Sequence, residues 1–319
     1  MTTHVAIVGP TATGKSALAL ELAQRHDDLE IVSLDAMQVY RRMDIGTAKP
    51  TVAERAAVPH HLIDVAEPCE PWSVARTQQL ARAAVADIEA RGKRALLVGG
   101  TGLYVQAVVD AFELPGEDLD VRGELEARTW EPGGLLRAWH ELQRLDPRAA
   151  ARIGEHNQRR IVRALEVIRI TDRPFSSFGP GVFGAIDAPT AFPVRLLGIW
   201  RSRDDVATRI ETRIACMRTA GLVEEVRLLR RAPWERTARQ AIGYKEIADA
   251  FELGGASDHL ATAFDLIARR TRSFARRQRM WFRRDGRIVW IRALDALPVI
   301  EWLAAPDGGN AGSSREGPS

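Results

Sequence analysis

Residues 4–23 read HVAIVGPTATGKSALALELA, and this stretch decides the fold. An apolar run over residues 5–8 ends at a glycine, and apolar side chains with helical spacing resume at Ala17. Residues 9–16 between them match the pattern GxxxxGK(S/T) in full. A strand, a tight loop and a helix in this order form the first half of a βαβ unit. The sequence therefore predicts a phosphate-binding loop, or P-loop, at this junction.

The P-loop is expected to hold a phosphate chain through its backbone and through two side chains. Its glycines let backbone N–H groups turn toward an anion, and the positive end of the following helix dipole adds to the attraction. Lys15 is expected to reach the terminal phosphate, and Ser16 to ligate Mg²⁺. Taken alone, the pattern favours ATP or GTP as the ligand. The residues assigned to diphosphate or nucleotide binding are Gly9, Pro10, Thr11, Ala12, Thr13, Gly14, Lys15 and Ser16.

Strands and helices alternate along the first part of the chain, which predicts an α/β fold with a P-loop NTPase-like parallel sheet flanked by helices. After residue 114 the patterns become helical as far as about residue 173, and we expect an all-helical insertion domain over residues 117–193. The catalytic core is then expected over residues 1–116 and 194–304, followed by a polar, disordered tail over residues 305–319. The predicted strands are residues 5–8, 30–34, 94–98, 194–200 and 288–291.

Composition excludes several classes of protein. The 319 residues contain only two cysteines, Cys69 and Cys216, which argues against a disulfide scaffold and a structural zinc site. The start lacks a secretory signal, and no apolar stretch is long enough to span a membrane, so we expect a cytoplasmic protein without membrane contact. The net charge is +3, the pI is about 9.1 and the later half is rich in arginine, which makes a polyanionic partner worth testing.

Asp35 follows the second predicted strand. The carboxyl ends of parallel strands meet at one edge of the sheet, so Asp35 is expected on the same rim as the P-loop. A carboxylate there can accept a proton from a substrate or help to hold Mg²⁺, and the sequence does not separate these roles. The remaining alternative is that Asp35 only caps the segment that begins at Ala36.

A second glycine loop, GGTGLY over residues 99–104, follows the third strand. It is expected to place backbone donors and the Thr101 hydroxyl beside the P-loop. No acidic residue closes this strand, and an ATPase usually has one there for its metal or water. Its absence disfavours the motor and switch ATPases.

These segments resemble the tRNA dimethylallyltransferases, which prenylate the adenine next to the anticodon of tRNA. SLDAMQVYRRMDIGTAKP at residues 33–50 is similar to the family's most diagnostic block. The blocks occur in the family's order along most of the chain. The others are residues 9–16, PHHLID at 59–64, LVGGTGLY at 97–104, QRRIVRALEV at 158–167, QAIGYKE at 240–246 and RRQRMWFR at 276–283.

The resemblance implies a prenyltransferase reaction. A dimethylallyl group would pass from dimethylallyl diphosphate to the N6 amine of the adenine 3′-adjacent to the anticodon, in tRNAs that read codons beginning with U. Isopentenyladenosine and pyrophosphate would be the products. Lys15 and Mg²⁺ on Ser16 would neutralise the diphosphate, and Asp35 would act as general base. By the same resemblance, Thr101 would contact the leaving group or position the nucleophile, and Arg213 would add positive charge.

The resemblance also implies tRNA contacts in two places. Near the reacting centre, Gln38 would read the edge of the extruded adenine. In the helical insertion, basic residues would grip the anticodon stem-loop. The full set assigned to tRNA is Asp35, Ala36, Met37, Gln38, Thr101, Arg122, Gln158, Arg159, Arg160, Ile161 and Val162. Two other readings stay open, a P-loop small-molecule kinase that binds ATP and a non-enzymatic RNA-binding module. The preferred reading expects a monomer that binds tRNA and dimethylallyl diphosphate.

Overall fold

The computed structural model describes residues 2–111, 113–178 and 189–291. Its strands form one six-stranded sheet in the order β3-β2-β4-β1-β5-β6, and all paired strands are parallel. Helices flank this sheet, so the prediction of an α/β, P-loop-like parallel sheet is confirmed. The strands are β1 His4–Val8, β2 Leu29–Ser33, β3 His60–His61, β4 Arg94–Gly99, β5 Val194–Ile199 and β6 Ile288–Ile291.

The central strands are continuous apolar runs because helices cover both faces of the sheet. On one face, α1 (Lys15–Arg25) buries Leu22 against Ile7 of β1. The opposite face packs against α3 (Val74–Ala90) and α4 (Gly102–Val109), where Val85 and Val108 contact Leu97. The three central strands therefore have fixed positions, and the loops that follow them are fixed at the carboxyl edge of the sheet.

The sequence did not predict β3. It has two residues, which is too short for a strand period, and it pairs with β2 at the edge of the sheet. His61 contacts the buried Glu30 carboxylate, with 2.8 Å between Nε2 and Oε2. A short helix, α2 (Val52–Ala57), precedes β3 and begins with a capping box formed by Thr51 and Glu54.

A second group of helices follows β5 and surrounds an apolar cluster separate from the sheet. Buried side chains of α10, α12 and α13 contact Tyr40 and Met43 there. The prediction of helices beyond residue 204 is confirmed. These helices are α9 Arg203–Thr219, α10 Leu222–Leu229, α11 Arg236–Arg239, α12 Tyr244–Glu252 and α13 Ser257–Phe282.

The chain divides into two compact units, Asp110–Ala191 and the remainder, Met1–Val109 with Phe192–Ser319. The smaller unit is helical, and its core contains Leu125, Leu142 and Leu165. It begins at Asp110 and not at 117 because its two ends join, with the Ala111 N–H donating to the Pro189 carbonyl at 2.8 Å. The helices of the smaller unit are α5 Leu119–Trp130, α6 Gly134–Leu145, α7 Pro147–Ile153 and α8 Gln158–Thr171. The tail predicted at 305–319 lies outside the described residues.

Within the described ranges, no helix combines the length and the apolar character needed to cross a membrane.

Candidate active site

The P-loop backbone curls around a space that faces the carboxyl edge of the sheet. Gly9, Ala12 and Gly14 all have positive φ, at 138°, 63° and 97°. Such a run turns successive N–H groups toward one point and makes an anion-binding nest. A side chain at Gly9 would bring Cβ to 3.0 Å from the Ile199 carbonyl oxygen, so glycine is also required there for space. The Thr13 hydroxyl donates to the Pro10 carbonyl at 2.9 Å and fixes the curve.

Two arginines hold the outer side of the loop. The Arg201 Nε donates to the Thr13 carbonyl, and the Arg209 Nε donates to the Ala12 carbonyl, both at 2.9 Å. Guanidinium groups thus satisfy these two loop carbonyls. The Thr11 N–H donates to the Gln278 side chain, and the other N–H groups of the loop are left for the concave side.

Lys15 begins α1 and lies inside the loop. Its ammonium donates to the Pro10 carbonyl at 2.6 Å, and the residue is only 9% exposed. Burial lowers the pKa of Lys15 to about 7, an effect that the nearby Asp35 carboxylate opposes and the Arg213 guanidinium increases. A phosphate group at this position would stabilise the ammonium form. The charge of Lys15 is therefore coupled to anion binding.

Asp35 lies on the same rim, half-buried. Its Oδ1 accepts the Met37 N–H at 2.8 Å and the Gln38 N–H at 3.3 Å, so it does cap the turn over residues 36–39. Within the described ranges, its second carboxylate oxygen has no hydrogen-bond partner. The capping reading and a chemical role are therefore compatible, since they use different oxygens.

Arg213 of α9 completes this cluster of charges. Its Nη1 donates to the Thr11 hydroxyl at 3.0 Å. Burial lowers the pKa of Arg213 from its ordinary value, while Asp35 raises it. Arg213 and Lys15 thus face the same carboxylate from two elements that are far apart in sequence.

One cavity of about 690 Å³ joins these groups. The predicted residues Thr11, Ala12, Gly14, Lys15, Ser16, Asp35, Gln38 and Arg213 all lie on its wall. Thr101 does not lie on the wall, although Gly99 and Gly100 do. The Thr101 carbonyl accepts the N–H groups of Tyr104 and Val105 at the start of α4. The structure therefore places Thr101 at the beginning of a helix beside the cavity and not on its surface.

The Gln38 side chain is already fully engaged. Its Oε1 accepts the Ser33 hydroxyl at 2.9 Å, and its Nε2 donates to the carbonyls of Thr47 and Ala48 at 3.3 and 3.2 Å. To read an adenine edge, this amide would have to give up hydrogen bonds that hold the loop after Met43. In this structure the Gln38 side chain therefore holds that loop in place through hydrogen bonds.

That loop is held from its other side by a carboxylate. Glu225 of α10 accepts the N–H groups of Asp44, Ile45 and Gly46 at 2.9–3.3 Å, and the hydroxyl of the buried Tyr244 donates to it at 2.5 Å. The sequence reasoning missed both Glu225 and Tyr244. Tyr244 lies inside the block at 240–246, so the motif marked the position but not its contact.

Gln278 of α13 is another residue that the sequence reasoning missed. The side chain is buried, and its amide joins the two glycine loops, with Oε1 accepting the Thr11 N–H at 2.8 Å and Nε2 donating to the Gly100 carbonyl at 2.7 Å. It lies in the block at 276–283, which the family resemblance singled out without assigning a role to this residue. An uncharged residue amid arginines was the available signal.

The residues assigned to tRNA in the helical unit have mixed surroundings. Ile161 and Val162 are buried in its core, so any tRNA contact at these two positions would not come from their side chains as the structure places them. The guanidinium of Arg122 binds both oxygens of the fully buried Glu166, at 2.9 and 3.1 Å. Gln158 donates to the Thr129 hydroxyl at 2.6 Å. Arg159 and Arg160 are exposed.

The side chains on the cavity wall suit Mg²⁺ only together with a phosphate ligand. Mg²⁺ prefers oxygen ligands and is usually bound by one or two protein groups together with substrate phosphates and water. Ser16 is exposed at the first turn of α1, and Asp35 has an oxygen to spare. Across the described residues no group of three or more His, Cys, Asp or Glu side chains suits a metal. The donor set fits an ion held mainly by phosphate oxygens.

Comparison with known families gives a consistent result. The model of the IPP transferase family matches residues 38–285, and that of isopentenyl transferase matches residues 2–64. The tRNA dimethylallyltransferase of Bifidobacterium longum is 46% identical over 305 residues, which cover 94% of this chain and 89% of that protein. That of a Nocardioides species is 49% identical over 291 residues, with 90% of each chain covered.

Solved structures agree with these relatives. The tRNA isopentenylpyrophosphate transferase from Bacillus halodurans is 38% identical, with a TM-score of 0.66 over 95% of both chains. A eukaryotic dimethylallyltransferase described as acting on tRNA has a TM-score of 0.76 at 24% identity, over 95% of this chain and 76% of that one, a likeness of fold alone. Taken with the family model over most of the sequence, these relatives show that the chain belongs to the IPP transferase family.

Proposed function

We propose that the chain transfers a dimethylallyl group from dimethylallyl diphosphate to the N6 amine of the adenine 3′-adjacent to the anticodon in tRNA. The tRNAs are those that read codons beginning with U, and the products are isopentenyladenosine and pyrophosphate. The observation that carries the proposal is the shared cavity, where the P-loop cations and the Asp35 carboxylate lie on one wall. The relatives' names supply the substrate classes.

The P-loop side of the cavity suits the leaving group. Breaking the bond between C1 of the donor and its diphosphate leaves negative charge on the phosphate oxygens. Groups fixed in advance around that charge stabilise the transition state without having to reorganise. Lys15, Arg213 and the inward N–H groups of the loop are such groups. Ser16 would hold a Mg²⁺ ion on the same phosphates, which would add further neutralising charge.

The Asp35 side suits the nucleophile. The N6 amine of adenine is conjugated to its ring and is a weak nucleophile, so its proton has to be removed as the new C–N bond forms. Asp35 Oδ1 is occupied by backbone N–H groups, which orient the carboxylate. The remaining oxygen would accept the amine proton. Lys15 and Arg213 both face this carboxylate, so the base and the cations for the leaving group lie side by side.

The P-loop kinase reading has less support. Gly99 ends β4, and Gly100 follows it where many P-loop enzymes have an acidic residue. Asp35 on the cavity wall would serve a hydroxyl as well as an amine, so the cavity alone does not choose between them. Family membership favours carbon transfer. We also propose that the protein acts in the cytoplasm as a monomer, which size-exclusion chromatography with light scattering would test.

The test uses purified protein, dimethylallyl diphosphate and an unmodified tRNA transcript, with mass spectrometry of the tRNA nucleosides. Wild-type protein should produce isopentenyladenosine, and Asp35→Asn should lower the rate by about 10²–10⁴-fold, the usual contribution of a general base. Asp27→Asn is the matched control, because Asp27 is exposed and lies outside the cavity wall. If Asp35→Asn retained the wild-type rate, Asp35 would not be the base.

A further inference from the structure

Arg209 is a cavity-lining cation that the reaction described above does not use. It lies on α9 four residues before Arg213, so both project from one face of the helix. Both line the cavity, and Thr212 lies on the wall between them. Each contacts the P-loop, Arg209 at the Ala12 carbonyl and Arg213 at the Thr11 hydroxyl.

The geometry leaves most of the Arg209 guanidinium available. A guanidinium has five N–H donors in a fixed plane, and the contact with Ala12 uses the one on Nε. That contact fixes the plane beside the nest, while the terminal nitrogens make no hydrogen bond with the residues that the structure describes. The side chain is exposed at the rim of the cavity. It is therefore oriented, charged and accessible to an anion.

Among the described residues, its freedom from a carboxylate partner distinguishes Arg209 from the other lysines and arginines on the wall. Lys49 also lines the cavity, but its side chain is 2% exposed and its ammonium is paired with Asp44 and Asp64. Lys15 and Arg213 share the opposing charge of Asp35. Across the described chain Arg209 forms no ion pair with a carboxylate. A diphosphate carries several negative charges, so an unpaired guanidinium on the wall adds to the attraction that Lys15, Arg213 and a Mg²⁺ ion on Ser16 would provide.

We propose that Arg209 is a further diphosphate-binding residue, whose terminal guanidinium nitrogens contact the phosphate oxygens of the prenyl donor and of released pyrophosphate. The inference rests on the proposed function for the identity of the donor. An arginine fork matches phosphate oxygens in a bidentate geometry that a lysine does not reproduce. Arg209 would thus close the outer side of the nest that Lys15 occupies from within.

The experiment is calorimetric titration of inorganic pyrophosphate with MgCl₂ into wild-type protein and three variants. Arg209→Gln is expected to weaken binding about five- to tenfold at low salt, the effect of one charge-assisted contact. Arg209→Lys should lie between Arg209→Gln and wild type. Arg203→Gln is the matched control, because Arg203 is exposed on the first turn of α9 and lies off the cavity wall, and its affinity should match wild type.

The salt dependence of binding distinguishes a phosphate contact from a role in supporting the loop. If Arg209 contacts phosphate, the ratio of the pyrophosphate dissociation constant of Arg209→Gln to that of wild type should shrink as KCl rises from about 50 to about 500 mM, because salt screens exposed charges. A ratio independent of salt, with Arg209→Lys as weak as Arg209→Gln, would mean that Arg209 only supports Ala12 and would overturn the proposal.

One further outcome also overturns it, an unchanged pyrophosphate affinity in Arg209→Gln. If the KM for tRNA rises in the same variant, Arg209 would instead be assigned to the RNA backbone. The titration does not depend on transfer, so a wild-type protein that bound pyrophosphate but failed to prenylate tRNA would refute the proposed function and leave the Arg209 result readable.

Discussion

The P-loop and helix α8 each combine basic residues with a conspicuous sequence block, but they use them differently. Around the P-loop, arginines from α9 and the preceding segment donate to loop carbonyls, and the loop's own N–H groups, apart from that of Thr11, stay available for a ligand. On α8, Arg163 donates to the carbonyls of Pro115 and Gly116, while Ile161 and Val162 fill the core.

The difference teaches where a ligand site can form. At the P-loop the backbone is the binding surface, and side chains hold it in shape. On α8 the backbone groups are consumed by the helix, so only exposed side chains remain for a partner. We expect substitutions at the P-loop to act on catalysis and those inside α8 to act mainly on stability.

The largest effect is expected at Lys15. Lys15→Met removes the ammonium from within the nest while keeping the length of the side chain. It should lower kcat/KM for dimethylallyl transfer about 10³-fold, as loss of a preorganised group at a developing charge does. The measurement is steady-state transfer to tRNA. A loss below tenfold would mean that the loop N–H groups carry the diphosphate without Lys15.

Lys15 should also make binding depend on pH. Because its pKa is about 7 in the free protein, the neutral amine predominates above that pH, and an anion that needs the ammonium must bind with uptake of a proton. The contribution of Lys15 to pyrophosphate affinity should be complete below about pH 6 and fall by up to about tenfold per pH unit above about pH 7.

The comparison that isolates this effect is wild type against Lys15→Met over about pH 6 to 9. Titration of pyrophosphate itself is common to both proteins and cancels in the ratio of their dissociation constants. A ratio that stays constant across the range would contradict the coupling between Lys15 protonation and anion binding.

The next largest effect is expected inside the helical unit, on stability. Glu166→Gln leaves the guanidinium of Arg122 without its buried carboxylate partner. It should lower the free energy of unfolding of this unit by about 2–3 kcal/mol, measured by urea denaturation or hydrogen exchange. Glu124→Gln breaks an exposed pair with Arg169 and should cost under about 1 kcal/mol. Equal losses would contradict the assignment of Glu166 to the core.

Gln278 should have an intermediate effect. Gln278→Met keeps the size of the side chain but removes the amide that joins Thr11 to Gly100. Pyrophosphate affinity should fall about tenfold, because the Thr11 N–H and the Gly100 carbonyl lose a buried partner and the nest loosens. Gln24→Met, at an exposed position of α1, is the control. An unchanged affinity would show that the loops hold their shape without the bridge.

The smallest effect is expected at the exposed end of α8. Arg159→Gln should raise KM for tRNA about threefold and reduce the slope of log affinity against log salt by about one, if Arg159 contacts a single phosphate. Ile161→Val should cost about 1 kcal/mol of stability and leave KM for tRNA unchanged, since its side chain is buried. The reverse pattern, with Ile161→Val the more damaging to tRNA binding, would break the contrast between the two regions.

The sequence carried enough information to predict the sheet, the P-loop and the place of Asp35. These features depend on local patterns, such as apolar runs that end at glycine, and on the rule that parallel strands end at one edge. Arg213 came only from the family resemblance. Strand β3 could not be recognised, because a strand of two residues is too short to show an alternation of apolar and polar side chains.

Contacts between distant segments could not be predicted in the same way. Gln278 meets Thr11 across 267 positions of sequence, and Glu225 meets Ile45 across 180, so only the folded chain brings them together. Ile161 and Val162 illustrate a different point. Their basic neighbours suggested a nucleic-acid surface, but a helix with 3.6 residues per turn places one side of such a block in the core.

The most direct test of the central claim follows two labels through one reaction. Purified protein is given tRNA with dimethylallyl diphosphate labelled in its prenyl carbons and, separately, with ATP labelled in its γ-phosphate. The account predicts that tRNA gains the prenyl label in step with pyrophosphate release and gains no phosphate from ATP. Transfer of the γ-phosphate without prenyl incorporation would contradict it, and would assign the P-loop between β1 and α1 to phosphoryl transfer.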